Sequence, residues 1–404
     1  MTAGLLARWR AADPAFRAFL LGVLLFGVNA GVLSAAFNNY LNDAFMLTSE
    51  QRGFLEFPRE LPGFLVVFMA GLLAAVPVRN WAVMTSLLTA AGVAGLAFLS
   101  PAYHLMLVWM LVWSSGSHLF MTVESVMGLR FAKEGGQGRR LGQISGVTNF
   151  AAIAGAGAVW LLARSAGPWL YKAAFLFAAL ASVAAAFLFA RIPASDEDRA
   201  PRGRRFIVKW RYKWYYLLNI LFGARKQIFL TFAPWVLVTV YGASPALMAA
   251  LAMAAAAAGV VFRQAFGELT DRIGERRMFI GDALILLGIC AGFAFSSFRP
   301  LLYFLFVLDN LMFATRIART TYLNRVAESK ADIAPTISFG ITIDHAVSMT
   351  IPAAGGLLWA ACGYKSVFLA ASLLAVAGLM TALAIDDGRR KKAAPAAPAP
   401  VMPD

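Results

Sequence analysis

Charge is scarce in this chain. Only 14% of its 404 residues are Asp, Glu, Lys or Arg, against roughly a quarter in a soluble domain, which excludes an ordinary water-exposed globule. Cysteine is scarcer: Cys290 and Cys362 both lie in apolar runs without disulfide or metal-ligand spacing, so they read as packing thiols. The three histidines, His104, His118 and His345, form no H-E-x-x-H pattern. No G-x-S-x-G elbow and no G-x-x-x-x-G-K-[ST] phosphate loop occurs either. These absences argue against an enzyme, against ATP drive within this chain, and against any metal or cofactor.

What the chain has is apolar surface, 60% of its residues. Runs of span length fall at 18–40, 51–76, 81–99, 104–128, 142–164, 168–190, 214–240, 245–266, 278–297, 300–322, 335–359 and 364–385. The first run is full span length and eleven more follow, which speaks against a cleaved signal peptide. The expected fold is all-α integral membrane, with twelve transmembrane helices as two pseudo-symmetric six-helix bundles. Residues 1–190 form the first bundle, 191–213 a charged cytoplasmic linker, 214–388 the second bundle, and 389–404 a Pro/Ala-rich tail expected to be disordered. Traces of duplication survive: "AVWLLARSAGPWLYKAAFLFAALAS" after the fifth run resembles "GLLWAACGYKSVFLAASLLAVAG" after the eleventh.

The net charge of +15 follows topology, because most of the 36 Lys and Arg fall in loops on the N-terminal side. The positive-inside rule then puts both termini in the cytoplasm, as a multi-pass protein of the cell inner (plasma) membrane. The basicity is an orientation signal and not a nucleic-acid footprint. The expected partners are a small-molecule substrate, protons and the lipid bilayer, and the chain is expected to be a monomer.

One loop carries a family resemblance. "GELTDRIGERR", residues 267–277, lies between the eighth and ninth runs and resembles the G-x-L-x-D-R-x-G-x-R-R loop of the major facilitator superfamily (MFS), at Gly267, Leu269, Asp271, Arg272, Gly274, Arg276 and Arg277. With twelve spans, a central linker and both termini inside, the resemblance covers about residues 15 to 388. It implies alternating access, in which Asp271 and the adjacent arginines clamp the cytoplasmic side and release it, acting as a gate. Independently of the family, Gly267 allows a close helix approach, Gly274 suits the positive φ of a tight turn, and Asp271 suits a helix N-terminus. The first half departs from the pattern. In "GLLAAVPVRNW", Gly71 and Leu73 are kept, but Ala75 and Val76 stand where the acid and the Arg belong. The fifth run, "AAIAGAGAVW", also lacks the G-P signature of the drug-exporting branches.

Charges inside the spans point to the site. The acids Glu56, Glu60, Glu124, Asp309 and Asp344 face the cations Arg59, Arg225, Lys226, Arg263, Arg316 and Arg319. An isolated charge at the bilayer centre costs at least ~2.5–3.5 kcal/mol, so such groups face one another or a watery cavity. Arg225 and Lys226 are adjacent and therefore about 100° apart around one helix. Lys226 shares a side with Asn219 and Gly223, so one cation is expected in the cavity and the other on an acid. The candidate substrate contacts are Arg225, Lys226, Arg316, His118 and Asn219. The candidate coupling groups are Asp344, His345, Glu60, Glu56 and Asp309, with adjacent Asp344 and His345 first, since imidazole titrates near physiological pH. Glu56, Arg59 and Glu60 share one helical face, which suits either coupling or local satisfaction of Arg59 by both glutamates. The expected function is secondary active transport of a small polar or anionic organic solute, with proton coupling. Drug or amphiphile efflux and a non-transporting membrane scaffold remain the alternatives.

Overall fold

The computed structural model describes residues 9–66, 76–132, 136–193 and 207–386, and every regular element among them is helical. Gly71, Leu73 and Ala75, most of the linker, the 389–404 tail and the side chain of Arg263 lie outside the described residues. The first half comprises α1 (Pro14–Phe45), α2 (Ser49–Phe54), α3 (Glu56–Val66), α4 (Val78–Phe98), α5 (Tyr103–Arg130), α6 (Gln137–Ser165) and α7 (Leu170–Ala190). The second comprises α8 (Lys213–Thr239), α9 (Pro245–Ile273), α10 (Glu275–Phe295), α11 (Arg299–Met312), α12 (Arg316–Val326), α13 (Lys330–Cys362) and α14 (Tyr364–Ala384).

Each expected span overlaps one of these helices or a consecutive pair, the second only as far as Val66, since 67–75 lie outside the described residues. Ten segments among the described residues are long and apolar enough to cross a membrane. Two expected spans are not among those ten. The second is broken at Leu55, where Pro58 cannot donate to the Phe54 carbonyl four residues earlier. The seventh, α8, has the length but carries Arg225 and Lys226 near its centre.

Local chemistry sets the helix ends. Asp13 accepts the Ala15 N–H at 2.8 Å with Pro14 in the first turn of α1, and Thr48 and Gln51 form a reciprocal capping box on α2. Ser244 caps α9 and Ser329 caps α13. Gly274, at φ 85°, turns the chain from α9 into α10, the positive φ expected of that loop.

Within lipid the helix–helix drive comes from close packing and not from apolar burial. At the crossing of α1 and α6, a Cβ on Gly31 would stand 2.1 Å from the Ala152 carbonyl oxygen, so only glycine allows this approach. Buried aromatics fill each half: Phe19 and Phe189 in the first, Phe229, Phe293 and Phe368 in the second. Gly267, by contrast, has open space where its Cβ would be, with no close helix approach among the described residues. Cys290 is buried as expected, whereas Cys362 is exposed at the end of α13. Trp210, just before α8, is exposed, as an interfacial aromatic would be.

The halves meet along a seam. A Cβ on Gly53 would lie 2.3 Å from the Pro352 carbonyl oxygen, and one on Gly356 would lie 2.4 Å from that of Ser49. Asn39 of α1 donates to the Ala243 carbonyl at 2.8 Å, and Trp235 and Ala249 pack into the first half's core. All these contacts lie between mid-depth and the end of the molecule far from the termini.

Candidate functional site

Two charge networks and two cavities lie within the helical bundles. The first network lies on the seam. Arg59 of α3 contacts Glu56 at 2.5 Å and Glu60 at 3.0 Å, the i, i+3 and adjacent partners its spacing allowed. Arg52 takes the other oxygen of Glu56 at 2.5 Å. Two bonds then cross between halves: Gln227 of α8 donates to Glu56 at 2.8 Å, and His345 Nδ1 lies 3.1 Å from Glu60. His118 of α5 approaches the same Glu60 oxygen with Nε2 at 3.7 Å, and the two imidazole centroids are 5.2 Å apart. The His118 Nδ1 is 3.0 Å from the Ser114 carbonyl and 3.0 Å from its hydroxyl, which itself donates to the Arg59 carbonyl.

The ligand atoms of Glu60, His118 and His345 lie within 4.8 Å of one another, the donor set of a transition-metal site. Arg59 argues against that use. Its guanidinium already neutralises Glu60, and a divalent ion would face an uncompensated cation.

The second network is internal to the second half. Arg225, 2% exposed, holds Asp282 at 2.7 and 3.0 Å and Asp309 at 3.2 Å. Thr315 donates to Asp282 at 3.3 Å. Asp282 is a sixth interior acid, beyond the five expected. It lies only a few residues into its apolar run and reads in sequence as a membrane-edge charge. Beside the pair lies a cavity of about 50 Å³ that Arg319 also lines. The Arg319 guanidinium sits over the Phe222 ring at 3.5 Å, with Nε and Nη1 buried and unpartnered.

Lys226, a sharp rotation around α8 from Arg225, donates to Asp344 instead, and a Cβ on Gly223 would touch the same carboxylate at 2.6 Å. Both members of this pair keep partial exposure, 18% and 22%. The expected division, one cation in a cavity and one on an acid, is thus changed: both are paired, and Lys226 alone retains access. Arg225 borders the cavity of about 50 Å³ beside its two acids. Asp344 and His345 turn to different partners, Lys226 and Glu60, because neighbouring positions on a helix diverge.

The other expected residues scatter. Asn219 donates to the Tyr215 carbonyl of its own helix at 2.8 Å, and Arg316 is exposed. Glu124 accepts from Thr148 at 3.0 Å, apart from both networks. In the 267–277 loop, Arg272 reaches Glu268 at 4.0 Å and Arg276 donates to the Leu383 carbonyl at 2.9 Å. Asp271 and Arg277 are exposed.

Between the halves lies a cavity of about 190 Å³, bounded by α1, α6, α9 and the α11 segment with its continuation to Ala314. Its polar lining is Ser34, Asn149 and Asn310. None of the three was singled out from sequence, where a lone amide or hydroxyl in an apolar helix reads as a packing group. The legible signal was the run "AMAAAAAG" of α9, which leaves room beside it.

This architecture has known counterparts. The family model described as Major Facilitator Superfamily matches residues 19–332 and 215–403. Similar solved structures include a variant of the nucleoside transporter NupG, with a TM-score of 0.75 and 13% identity over 92% of this chain and 99% of that one. A bacterial homologue of the human lysosomal transporter Spinster, inward-facing and occupied, gives 0.71 and 14% over 92% and 97%. The human organic anion transporter MFSD10 gives 0.66 and 14% over 92% and 100%. No curated protein matches. With the family model covering most of the chain and the helical halves meeting around a mid-depth cavity, the protein belongs to the Major Facilitator Superfamily and is a multi-pass membrane transporter, not an enzyme.

Proposed function

We propose that this protein moves a small polar or anionic organic solute by alternating access, coupled to protons at the seam cluster of Glu60, His118 and His345. The observation that carries the reading is the bond from His345 in one half to Glu60 in the other, at mid-depth, where a proton and a domain movement can act on the same contact.

The geometry suggests how. With Nδ1–H turned to the Ser114 carbonyl, the Nε2 of a neutral His118 presents a lone pair to the Glu60 carboxylate. A proton arriving there, on Nε2 or on Glu60, converts that contact from repulsive to attractive. Around this cluster stand Arg59, Glu56 and Arg52 from α2 and α3, Ser114 from α5 and Gln227 from α8. Arg52 and Arg59 balance Glu56 and Glu60, so an added proton is the only net charge introduced. A proton on Glu60 also neutralises the carboxylate that His345 meets and so weakens that contact across the seam.

The seam contacts favour a state closed at the far end. With both termini in the cytoplasm of the inner membrane, that state faces inward, and the 267–277 loop is the gate that has parted. Asp271, exposed here, finds its cation when that side closes. Lys226 serves an anionic solute by leaving Asp344, and the fold's occurrence in an organic anion transporter fits such a role.

Purified protein in liposomes with an imposed pH gradient tests the proposal against a solute panel. Gradient-driven accumulation that Glu60→Gln abolishes, while solute exchange without a gradient persists, is the expected result. No movement of any solute by folded protein would leave only the scaffold reading.

A further inference from the structure

We propose that the groove at the start of α8 holds one anionic phospholipid, its phosphate at Lys213 and an acyl chain along the helix. The groove shares no lining residue with either cavity described above.

The chain enters α8 through a non-helical stretch, Ile207 to Lys209, and one 3₁₀ turn at Trp210–Tyr212. Tyr216 fixes that stretch, donating its hydroxyl to the Ile207 carbonyl at 3.0 Å and accepting the Lys209 N–H at 3.3 Å. Lys209 in turn is tied to Glu328 at 2.8 Å and Asp332 at 2.6 Å. Between the stretch and α8 runs a groove of about 520 Å³. Its helical wall includes Lys213, Leu217 and Ile220, at the i, i+4, i+7 spacing of one face, and Val208 and Trp210 stand opposite. Ile220 lies about 10 Å further along the helix than Lys213, at ~1.5 Å rise per residue. Val208, Trp210 and Ile220 are exposed, Trp210 at 82%. The groove is therefore charged at its mouth and apolar below, as a headgroup and a chain require.

Charge selects the kind of lipid. Lys209 is committed to two carboxylates, and Arg211 stands 3.8 Å from Glu328. Lys213 meets no carboxylate among the described residues; its ammonium lies 5.3 Å from the Trp210 ring and 5.2 Å from the Trp214 ring, which hold it at the mouth. It is also the first residue of α8, whose opening turn has no acid and no side-chain cap. A cation at that end opposes the helix dipole, and an anion there relieves both. The indole N–H groups of Trp210 and Trp214 make no hydrogen bond among the described residues, so each can donate to a phosphate. A zwitterionic lipid brings its own cation to the same place and loses this advantage, whereas a headgroup of net negative charge keeps it.

Native mass spectrometry of the full-length protein, titrated with phosphatidylglycerol and with phosphatidylcholine, tests this. One phosphatidylglycerol should bind per chain about fivefold more tightly than phosphatidylcholine, the worth of one lysine against an anionic lipid. Lys213→Gln should remove that preference, and Lys213→Arg should keep it. Trp210→Ala should weaken both lipids, since it takes away a wall. The lipid-free melting temperatures of these variants should match the parent, as the replaced side chains are exposed. Equal affinity for the two lipids, an unchanged preference in Lys213→Gln, or unchanged binding in Trp210→Ala overturns the inference. So does displacement of phosphatidylglycerol by millimolar inorganic phosphate, which would mark a small-anion site. None of these readouts needs transport, so the transporter reading stands or falls separately.

Discussion

The two charge networks differ in one respect that matters. Around Arg225 the contacts among the described residues stay inside the second half, and the guanidinium is held by two carboxylates, one of them also bound by Thr315. Around Glu60 the contact with His345 crosses between halves, while Arg59 and His118 reach it from its own half, so that one imidazole from each half shares the acceptor. A buried pair within one rigid body pins helices whatever the halves do. A pair that spans two bodies must be made and unmade as they rock. Similar residue types at similar depth therefore carry different work, and the difference lies in whether the partner belongs to the same half.

Breaking the internal network should have the largest effect. Arg225→Met leaves Asp309 buried and Asp282 half-buried without a cation, a loss of about 3–5 kcal/mol, and folded protein should not be recovered in size-exclusion chromatography. Adding Asp282→Asn and Asp309→Asn to the same chain should restore it. Failure of that rescue would mean that Arg225 does more than balance the two acids.

The seam network should give the opposite pattern. Glu60→Gln should leave expression and melting temperature close to the parent and remove gradient-driven accumulation. An equal collapse of folding would erase the contrast between the networks.

Sharpening the comparison at the seam itself, Gly53→Val should wedge the far side apart, since even a Cβ there meets the Pro352 carbonyl at 2.3 Å. A cysteine placed at buried Ser348 in a Cys362→Ser background should then react faster with a membrane-impermeant thiol reagent. Unchanged reactivity would show that the Gly53 contact does not hold the seam.

The smallest effect is expected at the exposed 267–277 loop. Asp271→Asn should change stability by less than about 0.5 kcal/mol, as an exposed substitution does, and should lower the transport rate, measured as initial solute flux.

How much of this was legible in advance varies by residue. The pairing of Arg59 with Glu56 and Glu60 follows from spacing on one helix, and so does the divergence of Arg225 from Lys226. Their partners do not, since Asp282, Asp309 and Asp344 come from three other helices. Asp282 was passed over because closeness to a span's end looks like closeness to water, whereas inside the bundle it is within 2.7 Å of Arg225. Ser34, Asn149 and Asn310 carry no local signal; their meaning arises only where four helix faces converge. The Gly274 turn needed no tertiary context, whereas the open space beside Gly267 depends on how α9 packs against other helices.

By itself the chain's order of apolar and charged residues determined that it lives in a bilayer, where its helices run, and which side chains share a helical face. Lipid demands satisfied backbone groups, and the helical period sets angular position. Only the packing of one helix against another decided which acid each cation meets, which bonds cross the seam, and where the uncharged cavity opens. Those choices depend on distances between segments far apart in the chain, about which the period of a single helix carries no information.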